Sequence, residues 1–280
     1  MFSKKAAAPT VETLERHSQF VDIWRRFKRN KLAVFANFIA PYDPAAISTD
    51  RLASPSLEHL MGTDNYGRDL FSRIIYGARV SLLISLMALV FSLIIGIGLG
   101  ATAGYFGGWY ESVIMRICDI LMCIPGMLLA VCISSLLGIG EVNTAIAIAV
   151  SGVAPAIRMI RATVLQIRSQ EFVEAAKATG SSQLKIIFHE ILPNILSPLI
   201  VDSTMRIGGN ILQISGLSFI GLGVQSPTAE WGSIMSDGQE FITTFWPMIT
   251  FPGIAILLTV FAFNVMGDGL RDALDPRLKQ

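Results

Sequence analysis

The chain is expected to be an all-α integral membrane protein, and three observations carry that expectation. Charged residues make up only 15% of its 280 residues, against 52% hydrophobic, where a soluble domain carries about 25% charged. The mean hydropathy is +0.57. Long stretches carry no charge at all: 80–110, 120–140, 142–157, 207–229 and 241–267. A bilayer core about 30 Å thick needs roughly 20 apolar residues as a helix. Lipid offers the backbone no hydrogen-bond partner, so such runs form helices.

In chain order, the expected spans are 80–104, 118–139, 142–161, 195–222 and 247–268. The third ends in Arg158 and Arg161, whose long stems allow snorkelling to the interface. The fourth contains Asp202 and Arg206 at i, i+4. The net charge of +1 implies no nucleic-acid or acidic partner. Cys118, Cys123 and Cys132 share one apolar segment without C-x-x-C spacing, and His17, His59 and His189 stand apart, so no metal site is expected.

Orientation follows the lysine and arginine bias of the links. The link after the third span carries Arg158, Arg161, Arg168, Lys177 and Lys185, and the C-terminus carries Arg271, Arg277 and Lys279. Both are expected in the cytoplasm. The link 223–246 has neither residue type and falls outside, as does the segment before residue 80. The N-terminal basic cluster WRRFKRNK (24–31) also favours the cytoplasm, yet only LAVFANFIA (32–40) separates it from the outside segment. Nine residues of helix reach about 14 Å, less than half the core. A cleavable signal fits poorly, because Phe38 stands where a small residue is needed before cleavage after Ala40. The preferred reading is a first membrane helix that has lost most of its length.

The segment EFVEAAKATGSSQLKIIFHEILP (171–193) is polar and helix-forming between two apolar runs. Phe172, Ala175, Ala176 and Thr179 fall at i, i+3, i+4, i+7, and Leu184, Ile187, Phe188 and Ile191 repeat the pattern. Gly180 lies between them where a helix end calls for positive φ. Ser181 and Ser182 are placed to cap the second helix, and Pro193 closes it or opens the next span. Two readings fit: an interfacial helix lying on lipid, or a docking surface for a cytosolic protein. The acidic residues Glu171 and Glu174 favour docking. A DNA-reading helix-turn-helix has this outline but needs a basic recognition face, which is missing.

EAAKATG followed by ILP resembles the E-A-A-x-x-x-G…I-x-L-P loop of ABC importer permeases. Glu174, Ala175, Ala176, Gly180, Leu192 and Pro193 match position for position, while the pattern's isoleucine falls on Glu190. GTDNYGRDLFSRIIYGARVSLLIS (62–85), IAPYDP (39–44), LSFIGLGVQSPTAEWGSIMSDG (217–238) and DGLRDALDPRL (268–278) resemble the dipeptide/oligopeptide/nickel branch, specifically its C-type second permease. The resemblance runs from residue 24 to 280 and implies a type I ABC importer permease fold. It implies that the loop is a coupling helix fitting a groove in a cytosolic ATPase. It further implies two ATPase subunits that hold ATP and Mg, a second homologous permease, an external substrate-binding protein, and a bacterial or archaeal plasma membrane.

Under that resemblance the chain divides into a cytoplasmic basic tail (1–31), a truncated first helix with its external loop (32–79), a permease core (80–268) and a cytoplasmic tail (269–280). The core contains the coupling loop 162–194. No G-x-x-x-x-G-K-[ST] occurs, so the chain is expected to be no enzyme and to bind no cofactor itself. Intramembrane charges are functional candidates. Asp202 and Arg206 are therefore read either as a self-paired bridge or subunit contact, or as pathway groups meeting the termini of a zwitterionic peptide. Asp64, Arg68 and Asp69 are candidate contacts for the binding protein or sister permease, with a structural loop as the alternative. Gly96, Gly100, Gly104 and Gly108, spaced by four, suit close helix packing.

The branch carries dipeptides, oligopeptides, glutathione-like molecules and nickel complexes, and small peptides are the favoured cargo. A secondary transporter or channel, and a non-transporting scaffold subunit, remain the rival readings.

Overall fold

The computed structural model describes residues 39–274, all helix and connecting loop. The basic cluster 24–31, most of the short apolar run 32–40, and Arg277 and Lys279 lie outside the described residues.

Helix α1 (Leu70–Phe106) begins ten residues before its uncharged run. Asp69 starts it: its carboxylate accepts from the Ser72 amide at 2.8 Å, satisfying one of the orphan donors of the first turn. At about 1.5 Å per residue its 37 residues rise some 55 Å, so it projects beyond a bilayer core. A wider π turn at Ile97–Ala101 falls within the glycine-rich stretch. Gly107 (φ 68°) ends the helix, because the reversal needs a backbone that only glycine adopts freely.

The expected second span, 118–139, is not one straight helix. It is two: α2 (Gly108–Met122) and α3 (Gly126–Leu137), bent by 85° at Cys123–Pro125. Pro125 has no N–H, and its ring crowds the carbonyl four residues back, so the helix cannot run through it. Helix α4 (Glu141–Ile167) contains Pro155 and is the hub of the bundle. Half of its apolar window is buried in the chain, against 17% for the last helix.

After α4 come the short α5 (Glu171–Ala178) and α6 (Gln183–Asn194), then α7 (Leu196–Phe219), bent by 63° from α6. Helix α8 (Trp231–Asp237) starts with a reciprocal cap between Glu230 and Ser233. Helix α9 (Pro247–Leu274) closes the described chain. By length and composition three helices cross a bilayer unaided, and five segments cross if each bent pair counts as one.

The glycine stripe is real for three of its four members. A Cβ on Gly96, Gly100 or Gly104 would stand 2.7–2.9 Å from Ala156, Ile157 or Val164 of α4, so these glycines let α1 and α4 touch backbone to backbone. Gly108 faces open space and instead holds a positive φ at the start of α2. On one side of this contact Ile84, Ala88, Ala130, Ile148, Ile214 and Leu217 pack together. On the other, Ile160 and Val164 pack with residues of α5, α6 and α7.

Candidate functional site

The loop between α4 and α7 is built as two helices around one glycine. Gln170 takes an extended conformation before α5, and Glu171 and Glu174 fill its first turn, where the helix dipole favours negative charge. At the other end the Gly180 amide donates to the Lys177 carbonyl at 3.0 Å, and the Ser181 amide to the Ala176 carbonyl at 3.1 Å. With Gly180 at φ 77° this is a Schellman stop, which satisfies carbonyls the helix would leave orphaned. Ser182 is at the N-cap of α6, but its side chain makes no capping bond, contrary to expectation. The turn is closed by these backbone bonds together with the Thr179 hydroxyl, which donates to the Ala176 carbonyl at 3.0 Å.

Which face is buried also differs from the expected stripes. In α5 the anchor is Val173, fully buried, with Phe172 and Ala176 half-buried; Ala175 and Thr179 point outward. In α6 the residues at Ile186, Ile187 and Ile191 are buried, while Leu184 and Phe188 stand 60% and 51% exposed. The reason is local. Residues Ile186–Ile191 form a π turn, with the Leu192 amide reaching the Ile187 carbonyl, just before Pro193 removes a donor. The wider turn rotates the register, so that Ile187, Ile191, Ile195 and Leu199 follow one another inward at steps of four.

Val173, Ala176, Leu192 and these isoleucines pack with Ile160 and Val164 of α4. Lys177 lies over the Tyr105 ring at 5.7 Å. The loop is thus seated on the core by Ala176 and Leu192, while Glu174, Ala175, Gly180 and Pro193 remain exposed. Val173 was missed by the sequence reading, and Leu184 and Phe188, placed there on the apolar stripe, are exposed instead. Val173 lies off the expected stripe of α5, so that stripe did not mark it.

The candidates in the segment before α1 fare differently. Asp64, Arg68 and Asp69 are buried and bonded within the chain, as the structural-loop alternative expects. Asp64 accepts from the Tyr66 and Arg68 amides at 2.8 and 2.9 Å and from Arg68 Nε at 2.6 Å. Arg68 then donates to Ser226 Oγ at 3.2 Å and to Asp237 Oδ2 at 3.1 Å. Arg73, also fully buried, stands 3.5 Å from Asp64 and 3.9 Å from Asp237, and donates to the carbonyls of Pro44 and Pro227. Burial pushes the Asp237 carboxyl up, against the pull of Arg73 and Arg68. Asp69 caps α1 and takes His59 Nδ1 at 2.9 Å. Two acids and two guanidinium groups thus clamp the segment before α1 to the segment around α8.

Asp202 and Arg206 bond to each other along α7, with side chains a third and a fifth exposed. Arg158 and Arg161 are both paired across to a neighbouring helix. Arg158 pairs with Asp119 and Arg161 with Glu111, both on α2. Arg168 donates to the Gly104 carbonyl at 2.9 Å, tying the end of α4 to α1.

Comparison with known proteins agrees with this architecture. A family model described as "Binding-protein-dependent transport system inner membrane component" matches residues 96–280. A dipeptide transport system permease protein of Alkalihalophilus pseudofirmus is 44% identical, covering 94% of this chain and 91% of its own length. A glutathione transport system permease protein of Escherichia coli is 40% identical over 98% of this chain and 95% of its own. Among solved structures, an inward-facing MetNI methionine ABC transporter superposes with a TM-score of 0.62 at 19% identity, covering 74% of this chain and 98% of that one. An amino acid ABC transporter follows with a TM-score of 0.56 at 14% identity, covering 73% and 95%. At such low identity these last two likenesses speak for the fold alone.

Proposed function

Because this chain belongs to the family of binding-protein-dependent transport system inner membrane components, as a multi-pass permease subunit of an ABC importer, we propose that it forms half of a channel for dipeptides and short oligopeptides, driven by ATPase subunits on separate chains. The observation that carries the mechanical part is the loop 171–194. Its inner face is locked to α4 by Val173, and its outer face offers Glu174, Ala175, Leu184 and Phe188 to the cytosol. A body pressed against that outer face moves α4, the most buried helix, rather than a loose appendage. The short side chain of Ala175 permits close approach, and Glu174 offers a charge for pairing.

The partners in this reading are two cytosolic ATPase subunits holding ATP and Mg, a second homologous permease, and an external binding protein. ATP binding draws the two coupling loops together and opens the cavity outward; hydrolysis resets it. This chain makes and breaks no covalent bond. Residues 80–268 act as the permease core, and the residues on either side of it serve membrane entry and the two faces. Asp202 and Arg206 already satisfy each other, which favours a contact with the sister permease over capture of a substrate terminus. The peptide assignment rests on the relatives, named for dipeptide, di/tripeptide and glutathione transport.

The test is capture of the chain from native membranes in mild detergent, with identification of whatever accompanies it. An ATPase pair, a second permease and a binding protein are expected, together with ATP-dependent dipeptide uptake. Gly180→Pro, which cannot adopt φ 77°, and Glu174→Lys are expected to abolish coupling. Uptake that persists without ATP, or intact coupling in both variants, overturns the reading.

A further inference from the structure

A cavity of about 270 Å³ opens between α1, the start of α4 and the loop before α8. Its lining mixes charge with apolar surface. Arg79 of α1 and Glu141 of α4 bring opposite charges, and Val80, Leu83 and Ala229 bring an apolar wall. Arg79 is the last charge before the uncharged run 80–110. It is partly buried, yet among the described residues it makes no hydrogen bond and has no carboxylate within 4.0 Å. In this it differs from Arg158, Arg161 and Arg206, each of which is paired with an acid of this chain. A partly covered guanidinium at the edge of a span calls for an anion.

The walls of the cavity are fixed. Arg73, earlier on α1, donates to the carbonyls of Pro44, which lines the cavity, and of Pro227, next to the lining residue Thr228. The Thr228 carbonyl accepts from the Ser233 hydroxyl at 3.1 Å. Ser81 donates to the buried Glu230 at 2.9 Å, which ties the residue after Ala229 to α1. Walls held in this way lose little conformational freedom when the site fills. Glu141 is the first residue of α4, whose 27 residues run about 40 Å to the coupling loop. The cavity therefore lies at the end of the bundle opposite that loop, the end at which an importer takes up its cargo.

We propose that this cavity receives a short peptide, with the peptide's C-terminal carboxylate on Arg79. This rests on the peptide reading above and adds to it a place, a chemistry and a size. The planar fork of a guanidinium matches a carboxylate with two parallel hydrogen bonds. Glu141 in the same lining disfavours a phosphate dianion and suits the ammonium of a zwitterion. A carboxylate has about four acceptor sites, so a contact within the chain does not exhaust it. The apolar wall takes a short side chain. Pockets for drug-sized ligands begin at roughly 300 Å³. This cavity lies just below that, so a dipeptide fits it and a longer chain projects from it.

Thr228 supplies the probe, since its carbonyl and not its side chain holds the wall. The membrane-embedded importer is reconstituted in phosphatidylcholine vesicles without its soluble binding protein. Cys123→Ala and Cys132→Ala remove the exposed thiols of this chain. The thiol introduced by Thr228→Cys is expected to react with a charged thiosulfonate reagent, read on this chain by mass spectrometry. Dialanine is expected to slow that reaction, while its C-terminal amide does not. Arg79→Met is expected to raise the half-protecting dialanine concentration roughly tenfold or more, and Arg79→Lys, which keeps the charge without the fork, to fall between. If Arg79→Met fails to assemble, the comparison of dialanine with its amide decides. A silent thiol, no protection by dialanine, equal protection by the amide, or an assembled Arg79→Met importer with unchanged protection each overturns the site; dialanine uptake by the unaltered importer then still upholds the peptide reading. Absence of that uptake overturns both. Protection by phosphatidylglycerol vesicles without peptide assigns the cavity to an anionic lipid headgroup, and protection by peptide-free binding protein assigns it to an acidic side chain of that partner. Either result overturns the peptide site.

Discussion

The loop 171–194 and the segment 62–69 look alike in sequence. Both are polar, both contain acids and bases, and both stand next to long apolar helices. Folded, they are opposites. The loop keeps Glu174 and its neighbours in the open and buries only an apolar edge around Val173. The segment 62–69 buries its charges: Asp64 holds Arg68, which donates to Ser226 and Asp237, more than 150 residues away in the chain. A charged stretch is thus a surface or a joint depending on whether complementary groups elsewhere in the chain reach it. Nothing within the stretch itself says which.

The largest expected effect tests the joint. Arg73→Met leaves Asp64 and Asp237 under-compensated in a buried place and is expected to cost about 3–5 kcal/mol. Loss of folded chain on heating in detergent is the measurement; an unchanged melting profile would mean that the clamp is not what holds the external face. Next comes the buried edge of the loop. Val173→Ala removes two methyl groups from a closed cluster, for a cost of about 2 kcal/mol, and is expected to loosen the loop enough to weaken ATPase coupling as well. Hydrogen exchange across 171–194 would register it.

Gly180→Ala is a smaller change. No atom stands in the way, but an alanine at positive φ costs about 1 kcal/mol. An asparagine at the same place is expected to recover most of that loss, because its side chain tolerates the left-handed region. The smallest effect on stability belongs to Glu174→Gln, within about 0.5 kcal/mol as for exposed residues generally. Its expected consequence is functional: reduced peptide-stimulated ATP hydrolysis by the assembled complex at unchanged expression. A variant that unfolds instead would erase the contrast between the two regions.

Much of this was legible beforehand. Uncharged runs located the apolar helices, three of which among the described residues are long and apolar enough to cross a bilayer, or up to five if each bent pair is one span, since hydrocarbon tolerates few charges and demands helices. The turn at Gly180 was legible because glycine, lacking a Cβ, is the residue that most freely serves a helix end with positive φ. Glu174 was placed on the polar face by the periodic pattern, whereas that pattern put Ala175, which is exposed, on the apolar stripe. The second span was misjudged as one helix although Pro125 and Gly126 stood in the middle of it, since a proline within an apolar run also occurs in helices that stay straight enough to cross, as Pro155 in α4 shows. Arg158 and Arg161 were read as snorkelling because α2 was not yet a neighbour of α4, and their partners Asp119 and Glu111 lie 39 and 50 residues away.

By itself, the sequence determined that the chain crosses a membrane several times as helices, that a polar helix–glycine–helix unit interrupts it, and that α1 carries a small-residue stripe. Each of these follows from local chemistry: transfer free energy, backbone hydrogen bonding and the conformational freedom of glycine act over a few turns at most. Only the tertiary structure decided which charges remain available. Whether a carboxylate is open to a partner or spent on a distant guanidinium depends on which helices become neighbours. That is settled by packing across the whole bundle, where groups far apart in the chain are brought within hydrogen-bond reach.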